Sequence, residues 1–238
     1  MSIVINMIGG KGSGGSGLPN FTYTGTYKVA QDGGKWEIAL LTSGTFTASK
    51  NFTCDAFMVG GGYGGSTSSD AYWGGYGGRG GNLLTKRGLT LTAGAHTVTI
   101  GGSGNSSSLD GYTTTDTGYE QGGAGGRRCE LDNTGTGWYV NVSSTGGSVG
   151  QKAFNGEDCL STSDFYGKYF ASGGGGGGAN FGGAIDNGGA GGTDSGGSGG
   201  TTDKNGKTNL GGGGGGSYGT AYAAGSGGSG IIIIRGGK

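Results

Sequence analysis

Apolar and polar residues alternate along this chain in short runs, and almost every run ends at glycine. Phe21-Thr22-Tyr23-Thr24 and Trp36-Glu37-Ile38-Ala39-Leu40-Leu41 flank a turn at Asp32-Gly33-Gly34, which predicts a hairpin. Phe52 to Val59 is a further strand that runs straight into Gly60-Gly61-Gly62. Leu89-Thr90-Leu91-Thr92 and His96-Thr97-Val98-Thr99-Ile100 both alternate and are joined at Ala93-Gly94-Ala95, which predicts another hairpin. Gly230-Ile231-Ile232-Ile233-Ile234-Arg235 has apolar side chains at every position of its core, the pattern of a strand buried on both faces. No segment has a helical period with caps.

Between the strands lie ordered glycine tracts. Gly74-Gly75-Tyr76-Gly77-Gly78-Arg79-Gly80-Gly81 is a Gly-Gly-X triplet repeat. It recurs at Gly122 to Arg127, Gly188 to Thr193 and Gly196 to Thr201, with pure runs at Gly173 to Gly178 and Gly211 to Gly216. A period of three is that of the polyproline-II helix, which makes no internal hydrogen bonds. Its backbone groups must find partners elsewhere when buried, and glycine lets neighbouring backbones approach closely enough to supply them. The expected fold is therefore all-β with a glycine-rich polyglycine-II helix bundle. An antiparallel sheet or sandwich part adjoins stacked polyglycine-II helices, with essentially no α-helix. Tracts of this composition ordinarily act as flexible linkers. Shared triplets, alternation with strands and a last tract feeding a buried strand favour the folded reading. For Gly9 to Gly17, linker and packed helix both stay open. The chain divides into residues 1–17, an N-terminal strand with a Gly/Ser linker, and 18–238, the glycine-rich domain, with insertions at 63–73 and 131–170.

Composition sharpens this picture. Of 238 residues 69 are glycine and one is proline, which excludes a collagen triple helix. Hydrophobic residues at 31% would argue for disorder, but charged residues at 13% and the 12 Tyr, 8 Phe and 3 Trp argue for a folded object. Fifteen basic and fifteen acidic residues balance, so there is no electrostatic footprint for nucleic acid, and no apolar run is long enough for a membrane span. Met1 to Ile8 has neither a basic leader nor a small-residue cleavage site, so no signal peptide is read and synthesis in a cytosol is expected. Cys54, Cys129 and Cys159 are odd in number, unlike a disulfide framework, although a Cys129–Cys159 pair is left open.

Motifs of cofactor chemistry fail on inspection. Gly12 to Gly17 and Gly225 to Gly230 satisfy G-x-G-x-x-G, a chance event at this glycine content, and neither opens a helix. Gly206-Lys207-Thr208 resembles the end of a phosphate-binding loop, but Thr201 stands where its first glycine belongs. In Gly188 to Thr193 the aspartate of a calcium-binding nonapeptide would come one place late, at Asp194. His96, alone of its kind, is read as structural. Glu157, Asp158 and Asp164 are read as turn residues rather than a glycosidase pair. No enzyme activity, cofactor or metal is expected. Aromatic residues carry more. Phe21, Trp36, Phe46, Phe52 and Phe57 are assigned to the core, whereas Tyr72, Trp73, Trp138, Tyr139, Tyr166 and Tyr169 stand in the insertions as candidate binding residues.

Three patterns together resemble the glycine-rich domain of bacteriophage tail and tail-fibre-tip adhesins. These are Phe21 to Tyr27 followed by Trp36-Glu37-Ile38 and Leu41 to Thr47, the strand Phe57-Met58-Val59 emptying into glycine, and the ending Gly227 to Arg235. Leu91-Thr92-Ala93-Gly94 through Gly101 fits the same pattern. The resemblance implies a virion protein of the distal tail, made in the host cytoplasm, that binds a host surface receptor (glycan or outer protein). It further implies that loops between polyglycine-II helices make the contact, that other tail proteins are partners, and that a homo-oligomer is open. Residues 2–8 would serve attachment. A purely structural protein and an ice-binding protein are the rival readings. The charged X positions Arg79 and Arg127 spoil the flat regular face that ice demands.

Overall fold

The computed structural model describes residues 5–12, 17–69, 73–115, 122–128, 130–133, 138–178, 180–181, 184–185, 188–200, 203–217 and 222–237. Its strands are β1 (Ile5–Gly12), β2 (Phe21–Asp32), β3 (Lys35–Leu40), β4 (Gly44–Ala48), β5 (Phe52–Val59), β6 (Leu83–Leu91), β7 (Gly94–Thr99), β8 (Ser108–Leu109), β9 (Tyr112–Thr113), β10 (Glu130–Asn133), β11 (Trp138–Val142), β12 (Asn180–Phe181), β13 (Ala184–Ile185) and β14 (Ile231–Gly236). The protein is all-β. Nine strands form one antiparallel sheet in the order β6-β5-β14-β3-β2-β4-β7-β8-β9, curled into a nearly closed barrel, and β1 pairs with β2. Helix among the described residues is limited to a turn at Ala153–Gly156.

The long strand β2 organises the curl. Tyr23 pairs with both Gly10 and Phe46, and Tyr27 with both Met7 and Leu40, so β1 holds one edge of β2 while β3 and β4 share the other. Between β3 and β4 the chain bends from one half of the sheet to the other. Across that bend Leu41 N–H donates to the Thr26 carbonyl at 2.9 Å and Thr26 N–H to Thr42 Oγ1 at 2.8 Å, so the β2 backbone stays satisfied. Alternation on β2 turns Phe21, Tyr23, Tyr27 and Val29 into the barrel, where they meet Trp36, Phe46, Met58, Leu91, Ile232 and Ile234. A second cluster on the outer face collects Phe57, Val59, Leu83, Ile231 and Ile233 under Phe154 and Phe170 from the 131–170 insertion. The four isoleucines of β14 thus divide evenly between two cores. Each is 0% exposed, worth roughly 1.5–3 kcal/mol of burial apiece.

The hairpin predicted across Leu89 to Ile100 does not form. β6 pairs with β5 and β7 with β4, far apart in the sheet order. Leu89, Leu91 and Val98 all enter the barrel core, so the link at Thr92–Ala93 carries the chain across the barrel instead of back along itself. Ala93 N–H donates to Asn51 Oδ1 at 2.7 Å and pins this corner. The expected first hairpin, β2–β3, is present with Asp32 opposite Lys35. β1 extends to Gly12, which sets Gly9 to Gly12 in the sheet beside β2.

The glycine tracts have neither helical nor strand assignment, and the expected polyglycine-II helices are not identified as regular elements. Their backbone bonding is nevertheless ordered. Successive residues bond to different neighbours, and residues three apart return to the same one. Gly174 and Gly177 donate to Gly78 and Gly75, Gly173 and Gly176 to Ser148 and Thr145, and Gly213 and Gly216 to Ser172 and Gly175. Ten segments can be followed this way: 60–66, 73–82, 122–127, 145–150, 171–177, 188–192, 195–200, 203–207, 210–217 and 225–230. They run alternately away from the sheet and back toward it. Three continue neighbouring strands in unchanged order, 73–82 beside β6, 60–66 beyond β5 and 225–230 leading into β14.

Position in this array explains the sequence of each tract. Segment 171–177 bonds to six others (73–82, 122–127, 145–150, 188–192, 195–200 and 210–217). Segment 210–217 also bonds to six (60–66, 73–82, 171–177, 195–200, 203–207 and 225–230). These two carry the pure glycine runs, and Gly173–Gly178 and Gly211–Gly216 are all buried. A Cβ on Gly174 would lie 2.1 Å from the Gly214 carbonyl oxygen, and one on Gly213 would lie 2.0 Å from that of Gly78. In the outer tracts the third residue points outward: Tyr76, Ala124, Arg127 and Ala190 are exposed.

Candidate functional site

Because the segments alternate in direction, their connections collect at two poles. At the pole away from the sheet, Ser66 N–H bonds to Tyr76 O, Thr145 to Arg127, Gly177 to Gly75, Gly189 to Gly176, Ser217 to Ser66 and Gly225 to Gly215. The described residues that flank the breaks between tracts, 66 and 73, 127 and 145, 177 and 188, 200 and 203, and 217 and 225, therefore all lie at this distal pole. At the other pole the tracts join the sheet, the short turns 193–194 and 208–209, and the excursion 151–170.

The six candidate residues divide between these places. Trp73 is distal and 38% exposed, with the Arg128 guanidinium 4.2 Å above its ring centroid. The same guanidinium lies 4.9 Å from the centroid of Tyr76, which is 47% exposed. One cation thus fixes two surface rings, a contact worth about 0.5–1 kcal/mol each at exposed sites. Trp138 and Tyr139 belong to β11, paired with Asn133 and Asp132 of β10 in a separate hairpin between the distal residues 127 and 145. Tyr72 lies outside the described residues, as does Cys129. Cys54 and Cys159 are free buried thiols, and burial pushes Cys54 up to about 12.

Tyr166 and Tyr169 are elsewhere, on the excursion beside the sheet. Aromatic residues of this stretch serve both packing and display. Phe154 and Phe170 are fully buried, with ring centroids 5.7 and 5.1 Å from that of Phe57, while Tyr166 is 53% exposed. Phe154 has φ 55° and Asn155 φ 60°, a left-handed turn that L side chains rarely adopt. Several contacts hold it. Arg235 lies 3.8 Å over the Phe154 ring, and Arg87 Nη2 donates to the Phe154 carbonyl at 3.1 Å. The two arginines also grip Asp55 and Glu157, tying β5, β6 and β14 to the excursion. The Arg235 guanidinium beside Glu157 holds that carboxyl below its usual range, and Arg87 adds to the effect. Burial pushes the Asp158 carboxyl upward, but the N–H groups of Gly167 and Cys159 and the Lys152 ammonium prevail and hold it low. Asp164 pairs with Lys28. All three carboxylates weighed for glycosidase chemistry are engaged in ion pairs across the excursion.

His96 is 7% exposed, its Nε2 donating to the Thr92 carbonyl and its Nδ1 facing Asp110 Oδ1, both at 2.8 Å. It ties β7 to the Asp110 corner. Tyr76, Arg128 and Tyr222 were not singled out by sequence reasoning. Tyr76 occupies an X position of a triplet, and its exposure follows only from the tract's place at the edge of the array. Lys204 Nζ stands 5.8 Å from the Tyr222 centroid, a second cation–aromatic pair at the distal pole.

No curated protein and no solved structure is similar to the chain. The family model described as the glycine-rich domain matches residues 41–236, from the bend after β3 through the whole tract array to β14. The chain belongs to the glycine-rich domain family.

Proposed function

We propose that this protein is a non-enzymatic surface-recognition protein, a distal component of a bacteriophage tail that binds a host-cell receptor. The tracts act in this reading as polyglycine-II helices, and the period-three bonding between them supports it. The observation that carries the function is the polarity of the array. Apart from the excursion 151–170, the connections longer than a tight turn depart from one pole of an interlocked backbone mass, while Ile5 lies in β1 and Gly237 directly follows β14 at the sheet. Such a scaffold holds loops in place at low ordering cost on binding. Exposed rings steadied by cations at that pole, Trp73 and Tyr76 with Arg128, suit a receptor that offers flat apolar or glycan surfaces. Trp138 and Tyr139 are carried by β11 between the distal residues 127 and 145 and are taken as further candidates in this reading, and Tyr166 and Tyr169 form a lateral candidate set. The sheet side, with β1, takes attachment to other tail proteins.

Competition by purified protein against phage adsorption tests the reading. The wild-type chain is expected to block adsorption. Trp73→Ala together with Trp138→Ala and Tyr139→Ala is expected to lower blocking about tenfold or more, the loss typical of central aromatic contacts, at unchanged thermal midpoint. Absence of blocking by the wild-type chain would favour the purely structural alternative, and full blocking by the triple variant would move receptor contact to other residues.

A further inference from the structure

On the flank of the excursion, away from the distal loops, lies an open groove of ≈490 Å³ lined by Gln151, Lys152, Asn155, Gly156 and Tyr169. Both walls are fixed. Gln151 and Phe170 exchange backbone bonds at 3.0 and 2.8 Å where segments 145–150 and 171–177 meet the sheet. Tyr169 N–H donates to Asp194 Oδ2 at 2.9 Å. The left-handed turn sends Phe154 into the core and leaves Asn155 exposed at the groove. Lys152 Nζ bonds to Asp158 Oδ2 at 3.0 Å and stands 5.8 Å from the Tyr169 centroid. That is a loose cation–aromatic pair, as for Lys204 and Tyr222, and near enough for the ammonium to reach the edge of a ligand lying on the ring.

The lining comprises one aromatic ring, two carboxamides and one ammonium, with no aliphatic side chain. A peptide would find no apolar anchor pocket here. A simple anion would find a cation already neutralised by Asp158. A saccharide fits each feature. Its C–H face packs on a tyrosine ring, and each carboxamide offers a donor and an acceptor to hydroxyls that both give and take. We infer that the Gln151–Asn155–Tyr169 groove is a saccharide-binding site, distinct from the distal pole and occupied by a short stretch of surface glycan. Its biological role rests on the surface-recognition reading, but its chemistry does not.

The test is a titration of the ¹⁵N-labelled full chain with hexose, N-acetylhexosamine, heptose and uronic-acid oligosaccharides, following the side-chain amide signals of Gln151 and Asn155. At least one class is expected to shift both signals saturably. Tyr169→Ala should weaken that binding about five- to tenfold, the worth of one aromatic contact, whereas Tyr169→Trp retains it. Trp73→Ala should leave the titration unchanged. Because the Tyr169 anchor to Asp194 is a backbone bond, both Tyr169 variants keep it. Silence of both amides towards every class would overturn the inference, as would undiminished binding in Tyr169→Ala. Loss on Trp73→Ala would move the sugar to the distal pole. A failed titration with intact adsorption blocking would leave receptor recognition standing.

Discussion

Glu37 is a carboxyl in the wrong place for an ionised group, and replacing it should make the protein more stable as pH rises. It sits on β3 opposite Ala30 of β2 and Arg235 of β14, on the outer face, and is 2% exposed. Oε1 accepts the Leu160 N–H at 2.8 Å, whereas Oε2 is buried with no hydrogen-bond partner. Burial raises its pKa above the ordinary 4.5. The Leu160 N–H, the nearby Ser163 hydroxyl and the charge of Arg235 work against that rise, and the charge of Asp158 works with it. A group whose folded value is raised favours the fold fully at pH values below its unfolded pKa and loses that contribution as pH climbs through the folded one. The cost of leaving a buried acceptor unsatisfied is about 1–3 kcal/mol. Glu37→Gln keeps the Leu160 bond and cannot ionise. Urea unfolding of both proteins from pH 4 to pH 8 should show near-equal stability at the acid end. The variant should gain about 1–2 kcal/mol at the alkaline end, the lower part of that range. At the alkaline end, where the gain is read, the Asp55, Glu157 and Asp158 ion pairs are intact in both proteins. A difference that stays flat with pH, or a variant weaker at pH 8, would refute the reasoning.

Two further outcomes follow from the tract array. Amide hydrogen exchange over Gly173–Gly178 and Gly211–Gly216 should be strongly protected, since these backbones are buried and bonded on all sides; exchange at free-chain rates would make them tethers. Gly174→Ala forces a Cβ to 2.1 Å from a backbone oxygen and should cost about 3 kcal/mol or more by chemical denaturation. The matched control Gly102→Ala, whose Cβ would meet nothing closer than 4.0 Å, should stay within about 0.5 kcal/mol.

Alternation made the faces of β2, β3 and β5 legible, and the unbroken isoleucines announced that β14 is covered on both sides. Partners were less legible. Leu89, Leu91 and Val98 declare which way they face, but the same pattern serves a hairpin or a crossing of the barrel. Alternation fixes a side chain's direction and leaves the neighbour strand unspecified. Likewise the difference between Gly173–Gly178 and Gly74–Gly81 marks interior from edge. Glycine has no side chain to record which tract lies beside which, so that order emerges only in the folded backbone. The candidate site was legible as a set of aromatics in insertions. It was not legible that Trp73 and Tyr169 lie at different poles, because the alternating direction of the tracts places each of them.

The tract array also sets the protein's heat capacity. Opening the barrel exposes apolar surface, which raises the heat capacity of the unfolded chain by about 0.45 cal/K/mol/Å², whereas opening the array exposes mostly peptide groups, which lower it by about 0.26. The two halves therefore pull in opposite directions. The whole molecule is expected to fall below the usual 12–15 cal/mol/K per residue, with a correspondingly flat stability curve by calorimetry. Cooling weakens hydrophobic cores, but a mass of glycine backbone has little of that attraction to lose. Such an array is expected to hold its backbone register over a wide span of temperature.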